Sequence, residues 1–266
     1  MRNILLITAV VSLVLTACTT VPVTGRRQLS LVSSGEMVTL GAQSYKETIE
    51  KSKLSTNKAQ SDRIKRIGRN IQSAVEMYMK ENGLSSRLDG FAWEYSLIQN
   101  DSVINAWCMP GGKVAFYTGI LPVCKDDNGI AVVMGHEIAH AIANHSAERM
   151  SQAMALQLGG QLGSLLLTGK SSTTQQLFQV LYPVGAQVGV LLPYSRDNEF
   201  EADKMGLIFM SMAGYDPESA VAFWERMAST GGGKIPQFLS THPAEKARID
   251  RIKALIPEMK KYYKPQ

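Results

Sequence analysis

The first third of the chain carries apolar side chains with the period of an α-helix. Between residues 34 and 82 they recur mostly three or four positions apart, as expected of helices that bury one face. These positions are Met37, Leu40, Ile49, Ile64, Ile67, Ile71, Val75 and Met79. A polar stretch at residues 51–57 interrupts the pattern, so it predicts helices on both sides of this break.

The middle of the chain has a different pattern. Residues 91–99 and 114–118 alternate in polarity or carry β-branched and aromatic side chains, which is typical of strands. They lie on either side of Pro110-Gly111-Gly112, a turn-forming sequence. After Asp126 the pattern is mostly helical, and residues 126–128 offer helix caps. We therefore predict an α+β fold that is mainly helical and has a small β-sheet.

An apolar stretch at residues 154–193 is rich in Leu, Gly, Gln and Val and nearly free of charge. We interpret it as a buried helical hairpin, and the alternative is a mobile or membrane-contacting lid. A polar join at residues 168–174 divides it, so neither half is long enough to span a bilayer.

The N-terminus predicts an export signal. A short basic start precedes the apolar run 4–17, which is too short for a comfortable membrane span. Leu15-Thr16-Ala17-Cys18 looks like a bacterial lipobox, in which Cys18 is lipidated after residues 1–17 are removed. The alternative is an ordinary secretory signal that contains a cysteine. Residues 18–35 are predicted as a tether and residues 36–266 as one domain.

The net charge of the chain and the distribution of its basic residues indicate which classes of partner to expect. Removal of residues 1–17 takes away Arg2 and lowers the formal net charge from +5 to +4. The chain has no concentrated basic stripe, so nucleic acid is not an expected partner. The oligomeric state is not indicated.

The strongest chemical signal is His136-Glu137-Ile138-Ala139-His140, in an apolar segment without proline. Residues four apart on a helix lie about 40° apart around its axis, so both imidazoles can bind one metal ion. Glu137 can then reach a water on that metal and take its proton. This predicts a hydrolase with one Zn²⁺ per chain.

A zinc site of this kind needs a third protein ligand. Glu199 is the best candidate, because Asp203 lies one turn later on the same face and can support a ligand histidine. On a continuous helix His145 would be turned about 140° away from His140, so we interpret it as a polar residue near a helix end. We interpret Glu201 as part of a solvated acidic face.

Together with the segment Asn105 to Val114, these motifs resemble peptidase family M48, a group of gluzincins, and in particular its compact lipoprotein and OMA-like branch. The resemblance implies a zincin-like metalloprotease domain with a small sheet beside the active-site helix. It implies that His136, His140 and Glu199 bind zinc, that Glu137 is the general base and that Asp203 supports a ligand. It also makes 105–114 a substrate-binding edge strand, with Asn105, Ala106, Gly111 and Gly112 as its contact residues.

Two further residues gain roles from this resemblance. His242 lies in a Ser-Thr-His-Pro element, which implies that it stabilises the oxyanion or caps the zinc at rest. The alternative is helix N-capping by this segment. Arg196, just before Glu199, either steadies a carboxylate or the substrate or forms a surface ion pair.

Cys108 and Cys124 are close enough in sequence to form a disulfide in an oxidising compartment, and two buried thiols are the alternative.

The expected function is a zinc-dependent endopeptidase that cuts misfolded or misassembled proteins of the bacterial cell envelope. Thr19 after the lipidated cysteine favours an outer membrane position facing the periplasm, with the lipid on Cys18 as the membrane contact. The alternative function is a zinc-containing assembly factor or holdase with latent or gated proteolysis.

Overall fold

The computed structural model describes residues 18–166, 194–230, 236–243 and 246–265, with side chains omitted for 156–166. The predicted signal peptide and most of the apolar stretch 154–193 lie outside the described residues.

Two long helices follow the predicted pattern on either side of the polar break. Helix α1 spans Ser34–Glu50 and begins with a capping box formed by Ser33 and Glu36. Helix α2 spans Lys58–Glu81, and the Asn57 side chain accepts from the backbone N–H of Gln60. The predicted apolar positions of α2 are buried in the core, namely Ile64, Ile67, Ile71, Val75 and Met79. The helices predicted for residues 34–82 are therefore confirmed.

A three-stranded sheet packs beside these helices. Its strands are β3 (Glu94–Ile98), β4 (Ala106–Met109) and β5 (Lys113–Tyr117), and β5 lies in the centre. Strand β3 runs parallel to β5, and β4 runs antiparallel to it.

The segment predicted as one edge strand, 105–114, is divided in the structure. Only Ala106–Met109 forms the edge strand, and Val114 belongs to the central strand. Gly111 and Gly112 form the intervening turn with φ of 87° and 77°, a region that favours glycine. A backbone that must turn there cannot continue the edge, so the prediction of a continuous edge strand was wrong.

The helix that carries the His-Glu-Xxx-Xxx-His motif lies in the centre of the molecule. A short helix α3 (Leu121–Cys124) leads into α4 (Asp127–Ile142), whose N-cap is Asp126, as predicted. All of its residues from Gly129 onward are buried. Helix α5 (His145–Leu166) follows after a break at Asn144, whose φ is 57°.

The remaining helices surround α4. Helix α6 (Arg196–Met212) begins with a capping box of Ser195 and Asn198. Helices α7 (Ser219–Ser229), α8 (Gln237–Thr241) and α9 (Lys246–Met259) complete the described chain. Thr241 is the last residue of α8, and its hydroxyl donates to the carbonyl of Phe238. Residues 244 and 245, just before α9, lie outside the described residues, so the alternative of N-capping by this segment stays a prediction.

The segment predicted as a tether is folded against the domain. Strands β1 (Cys18–Thr20) and β2 (Arg27–Leu29) pair as an antiparallel hairpin. Val21 in its loop is buried, and the Gln28 side chain donates to the carbonyl of Ala143 at the end of α4. These contacts correct the tether prediction. Cys18 is partly exposed at the start of β1, and its lipidation stays a prediction.

Among the described residues, none of the helices combines the length and apolar character that crossing a bilayer requires.

Helices α4 and α6 make backbone contact at a pair of glycines. A Cβ atom added to Gly206 would lie 2.8 Å from the carbonyl carbon of Gly135 and from the backbone nitrogen of His136. A Cβ on Gly135 would lie 2.7 Å from the carbonyl oxygen of Gly206. The two helices therefore approach as closely as they do because both positions lack side chains.

We expect Gly206→Ala to separate α4 from α6 and to lower the free energy of unfolding by about 1–3 kcal/mol, because the added methyl group meets backbone atoms. Urea unfolding of the purified chain measures this. Gly35→Ala is the matched control, since a Cβ there meets nothing within 4 Å. It should leave stability unchanged or slightly higher, because alanine favours helix over glycine. Equal effects of the two substitutions would contradict the role of the glycine contact.

Candidate metal centre

Four buried side chains converge between α4, α6 and the segment after α8. They are His136, His140, Glu199 and His242, and one ligand atom from each lies within 4.8 Å of the others. Nε2 of His136 lies 3.1 Å from Nε2 of His140 and 3.2 Å from Nδ1 of His242. Glu199 Oε1 lies 2.9 Å from His242 Nδ1 and 3.4 Å from His140 Nε2. His136 and His140 lie side by side because they are four residues apart on α4. Glu199 joins them because α6 packs against α4.

This set of donors fits zinc. Zinc takes imidazole nitrogen and carboxylate oxygen, and it takes four ligands in compact sites. Glu137 Oε1 is buried and, among the described residues, has no hydrogen-bond partner. Such an atom is costly in a folded protein unless a further group satisfies it.

Glu137 lies beside the cluster in the position expected of a base. The backbone N–H of Cys108 in β4 hydrogen-bonds to its carboxylate, and His242 Nε2 lies 3.5 Å from Oε1. Burial raises the pKa of Glu137 to about 7, although His242 acts in the opposite direction. A carboxylate with this pKa can both accept and return a proton near neutral pH.

Asp203 makes the contact that its spacing from Glu199 predicted. Its Oδ1 lies 3.0 Å from Nδ1 of His136, the nitrogen that faces away from the cluster. Burial alone would raise the pKa of Asp203, but Arg248 and His136 outweigh it and hold the pKa below its usual value.

Arg248 is the functional residue that sequence reasoning missed. Its guanidinium is buried and forms two hydrogen bonds of 2.7 Å to Asp203, and Nη1 lies 2.6 Å from Glu199 Oε2. It also stacks on Trp224 at 3.5 Å. Together with His242 it outweighs burial and holds the pKa of Glu199 well below its usual range. The signal was an arginine in register with buried Ile252 and Ile256 on one face of α9.

His145 lies at a helix end as interpreted, as the first residue of α5, but the expectation that it is turned away from His140 was wrong. The interpretation of Glu201 as part of a solvated acidic face was also wrong. Both side chains are buried. Nδ1 of His145 lies 2.9 Å from Nδ1 of His140, and its Nε2 lies 3.2 Å from Glu201 Oε2. The helix breaks between His140 and His145, so the angular argument for a continuous helix does not apply.

Tyr194 was also missed. Its ring centroid lies 4.0 Å from that of His140, and burial raises the pKa of its hydroxyl. No periodic pattern leads to it, because it lies just before the start of α6.

Arg196 is exposed at the first position of α6 and lines a small cavity with Glu199 and Arg248. The guanidinium of Arg248 contacts the Glu199 carboxylate, and the role of Arg196 stays a prediction.

Cys108 and Cys124 are buried free thiols, which decides between the two alternatives for this pair. Burial raises the pKa of both thiols.

The sequence pattern of peptidase family M48 matches residues 66–256. The chain belongs to this family. Zinc is the metal of family M48, and the cluster described above has the ligands for it. The predicted resemblance and fold class are confirmed.

Several known proteases are similar to this chain over much of its length. The mitochondrial metalloendopeptidases OMA1 of Schizosaccharomyces pombe and Saccharomyces cerevisiae are 35% and 34% identical to this chain and cover 90% and 91% of it. The beta-barrel assembly-enhancing protease of Escherichia coli (strain K12) is 29% identical and covers 63%. The chain spans 66%, 70% and 36% of these three relatives, in the same order.

These relatives correct the predicted location. Those that match about nine tenths of the chain are named as mitochondrial enzymes, and the match to the bacterial protease covers less of it. The prediction of an outer membrane position in a bacterial envelope was therefore wrong.

We expect Arg248→Leu to lower the free energy of unfolding of the zinc-free protein by about 3–5 kcal/mol, because it leaves two buried carboxylates without their partner. Chemical denaturation after chelation measures this. The control is Lys253→Met on the same helix, where an exposed ion pair with Glu225 is lost at a cost of less than about 1 kcal/mol. A small effect of the Arg248 substitution would show that the carboxylates do not depend on it.

Proposed function

We propose that the protein is a zinc-dependent endopeptidase that hydrolyses peptide bonds of unfolded or misassembled proteins. The observation that carries the proposal is the buried cluster of three imidazoles and one carboxylate with Glu137 beside it. Membership of family M48 supports it, and so do relatives that are named metalloendopeptidases.

Side chains of the protein carry out the proton transfers of the proposed reaction. Zinc, when bound, contributes Lewis acidity that polarises a carbonyl group and acidifies water. Glu137 accepts the proton of the attacking water and later donates it to the leaving amine. The Cys108 backbone N–H orients this carboxylate, while His136, His140 and Glu199 hold the metal.

Strand β4 offers a place for the substrate. It is one of the two edge strands of its sheet, and the backbone N–H of its residue Cys108 hydrogen-bonds to the Glu137 carboxylate. An extended peptide can add to such an edge by main-chain hydrogen bonds, which tolerate many sequences. Unfolded segments have free backbone groups for this pairing, whereas folded proteins have already used theirs.

We expect the purified chain to bind one zinc ion and to cleave casein. Glu137→Gln should keep the zinc but lower the cleavage rate by a factor of about 10²–10⁴, the usual contribution of a general base. Metal analysis and gel assays measure both quantities. Chelation should abolish cleavage in the native chain, and added zinc should restore it. Absence of zinc from both proteins would refute the proposal.

A second candidate function is a latent or gated form of the enzyme that binds clients without cutting them. It is favoured by His242, whose Nδ1 lies among the ligand atoms and whose Nε2 lies 3.5 Å from Glu137. A side chain in this place blocks both the fourth metal position and the base.

His242→Ala separates these roles. If His242 keeps the enzyme latent, we expect the substitution to raise casein cleavage while zinc stays bound. If it stabilises the oxyanion instead, cleavage should fall by a factor of about 10²–10³, which is the typical cost of losing one such donor. Cleavage at an unchanged rate would exclude both roles. Leu239→Ala on the preceding helix controls for loosened packing, since Leu239 packs against the core.

A further inference from the structure

A second polar cluster lies on the Nδ1 side of His140, and it is buried except at its end in the N-terminal hairpin. It joins the ends of α4 and α6 to the N-terminal hairpin, and the proposed chemistry does not use it. Its members are Thr24, Arg26, His145, Glu148, Asn198 and Glu201.

The contacts form a continuous chain from the hairpin to a metal ligand. Thr24 and Arg26, in the loop between β1 and β2, both donate to the Glu201 carboxylate, with Arg26 Nε at 2.8 Å. Glu201 Oε2 lies 3.2 Å from His145 Nε2, and His145 Nδ1 lies 2.9 Å from His140 Nδ1. Arg26 also forms two hydrogen bonds of 2.7 Å to Glu148.

Proton positions in this chain follow from the ligand role of His140. Its Nε2 faces the cluster, so its Nδ1 carries the proton and donates. His145 Nδ1 must then accept, which leaves its Nε2–H to donate to Glu201.

We propose that His145 is a positioning residue that fixes the ring and tautomer of the zinc ligand His140, and that Glu201 and the N-terminal hairpin hold it in place. Each of the two ligand histidines of α4 then has a hydrogen-bond partner at its Nδ1. Asp203 engages Nδ1 of His136, and His145 engages Nδ1 of His140. Partners of this kind commonly tune metal affinity. The inference rests on the proposed zinc site.

The test compares four full-length chains: native, His145→Leu, His145→Asn and Ile142→Ala. Leucine fills the space but cannot accept a hydrogen bond. The Oδ1 of asparagine takes about the place of Nδ1 and can accept from His140. Ile142 is buried near the end of α4 and has no polar contact to lose, so its truncation controls for general loosening.

The readouts are the zinc dissociation constant, from competition with a chromophoric chelator, and the visible spectrum of the Co²⁺-substituted protein. We expect His145→Leu to weaken zinc binding about 10–100-fold, as for other partners of metal ligands, and to change the Co²⁺ spectrum. His145→Asn should restore most of the affinity and the native spectrum, and Ile142→Ala should change neither.

Native affinity in His145→Leu would overturn the inference while the proposed function stands. Equal weakening in His145→Leu, His145→Asn and Ile142→Ala would also overturn it, because the effect would then be structural. If the native chain itself does not bind zinc, the proposed function is refuted instead. The contribution of the hairpin is tested by Arg26→Met, and an unchanged dissociation constant there would limit the positioning role to His145 and Glu201.

Discussion

The metal centre depends on the contact between Gly135 of α4 and Gly206 of α6. Because neither residue has a side chain, the two backbones meet there, with Cβ positions that would overlap opposite backbone atoms. His136 follows Gly135 directly, and Asp203 precedes Gly206 by less than one turn. The contact therefore sets the distance at which imidazoles of one helix meet carboxylates of the other. Larger residues would widen this spacing and move Glu199 away from both histidines.

The close packing of α4 and α6 buries charged side chains, and each buried charge needs a nearby opposite charge. Glu137, Glu199 and Asp203 are three buried carboxylates, and Arg248 is the buried cation that contacts two of them. Uncompensated charge in an interior is expensive, so an excess of carboxylates calls for a further cation. A divalent metal among these residues would supply that charge. Burial at the same time explains why Glu137, the carboxylate without a direct contact to Arg248 in the described residues, has the raised pKa.

Local periodicity explains which residues could be predicted. The pairs His136–His140 and Glu199–Asp203 share a face because each lies on one uninterrupted helix. The direction of the His145 side chain could not be predicted from the helix period, because Asn144 adopts a positive φ and the helix does not continue from His140 to His145. Arg248 reaches Asp203 across 45 residues of sequence, and Arg26 of the N-terminal hairpin reaches Glu201 across 175. No local pattern encodes contacts of this kind. The turn at Gly111 and Gly112 could be predicted from the sequence, but the strand Ala106–Met109 before it and its pairing with β5 could not.

The ligands differ in how firmly the fold holds them. His136, His140 and Glu199 lie on the two helices fixed by the glycine contact, and Asp203, His145 and Arg248 support them from behind. His242 instead follows the short helix α8, where its backbone N–H bonds to Phe238 and its ring stacks on that residue. Its place in the cluster therefore depends on α8 rather than on the α4–α6 contact. If His242 moved, three ligands on the two packed helices could still hold a metal while its fourth position opened, so the proposed gating by His242 would not require α4 and α6 to separate.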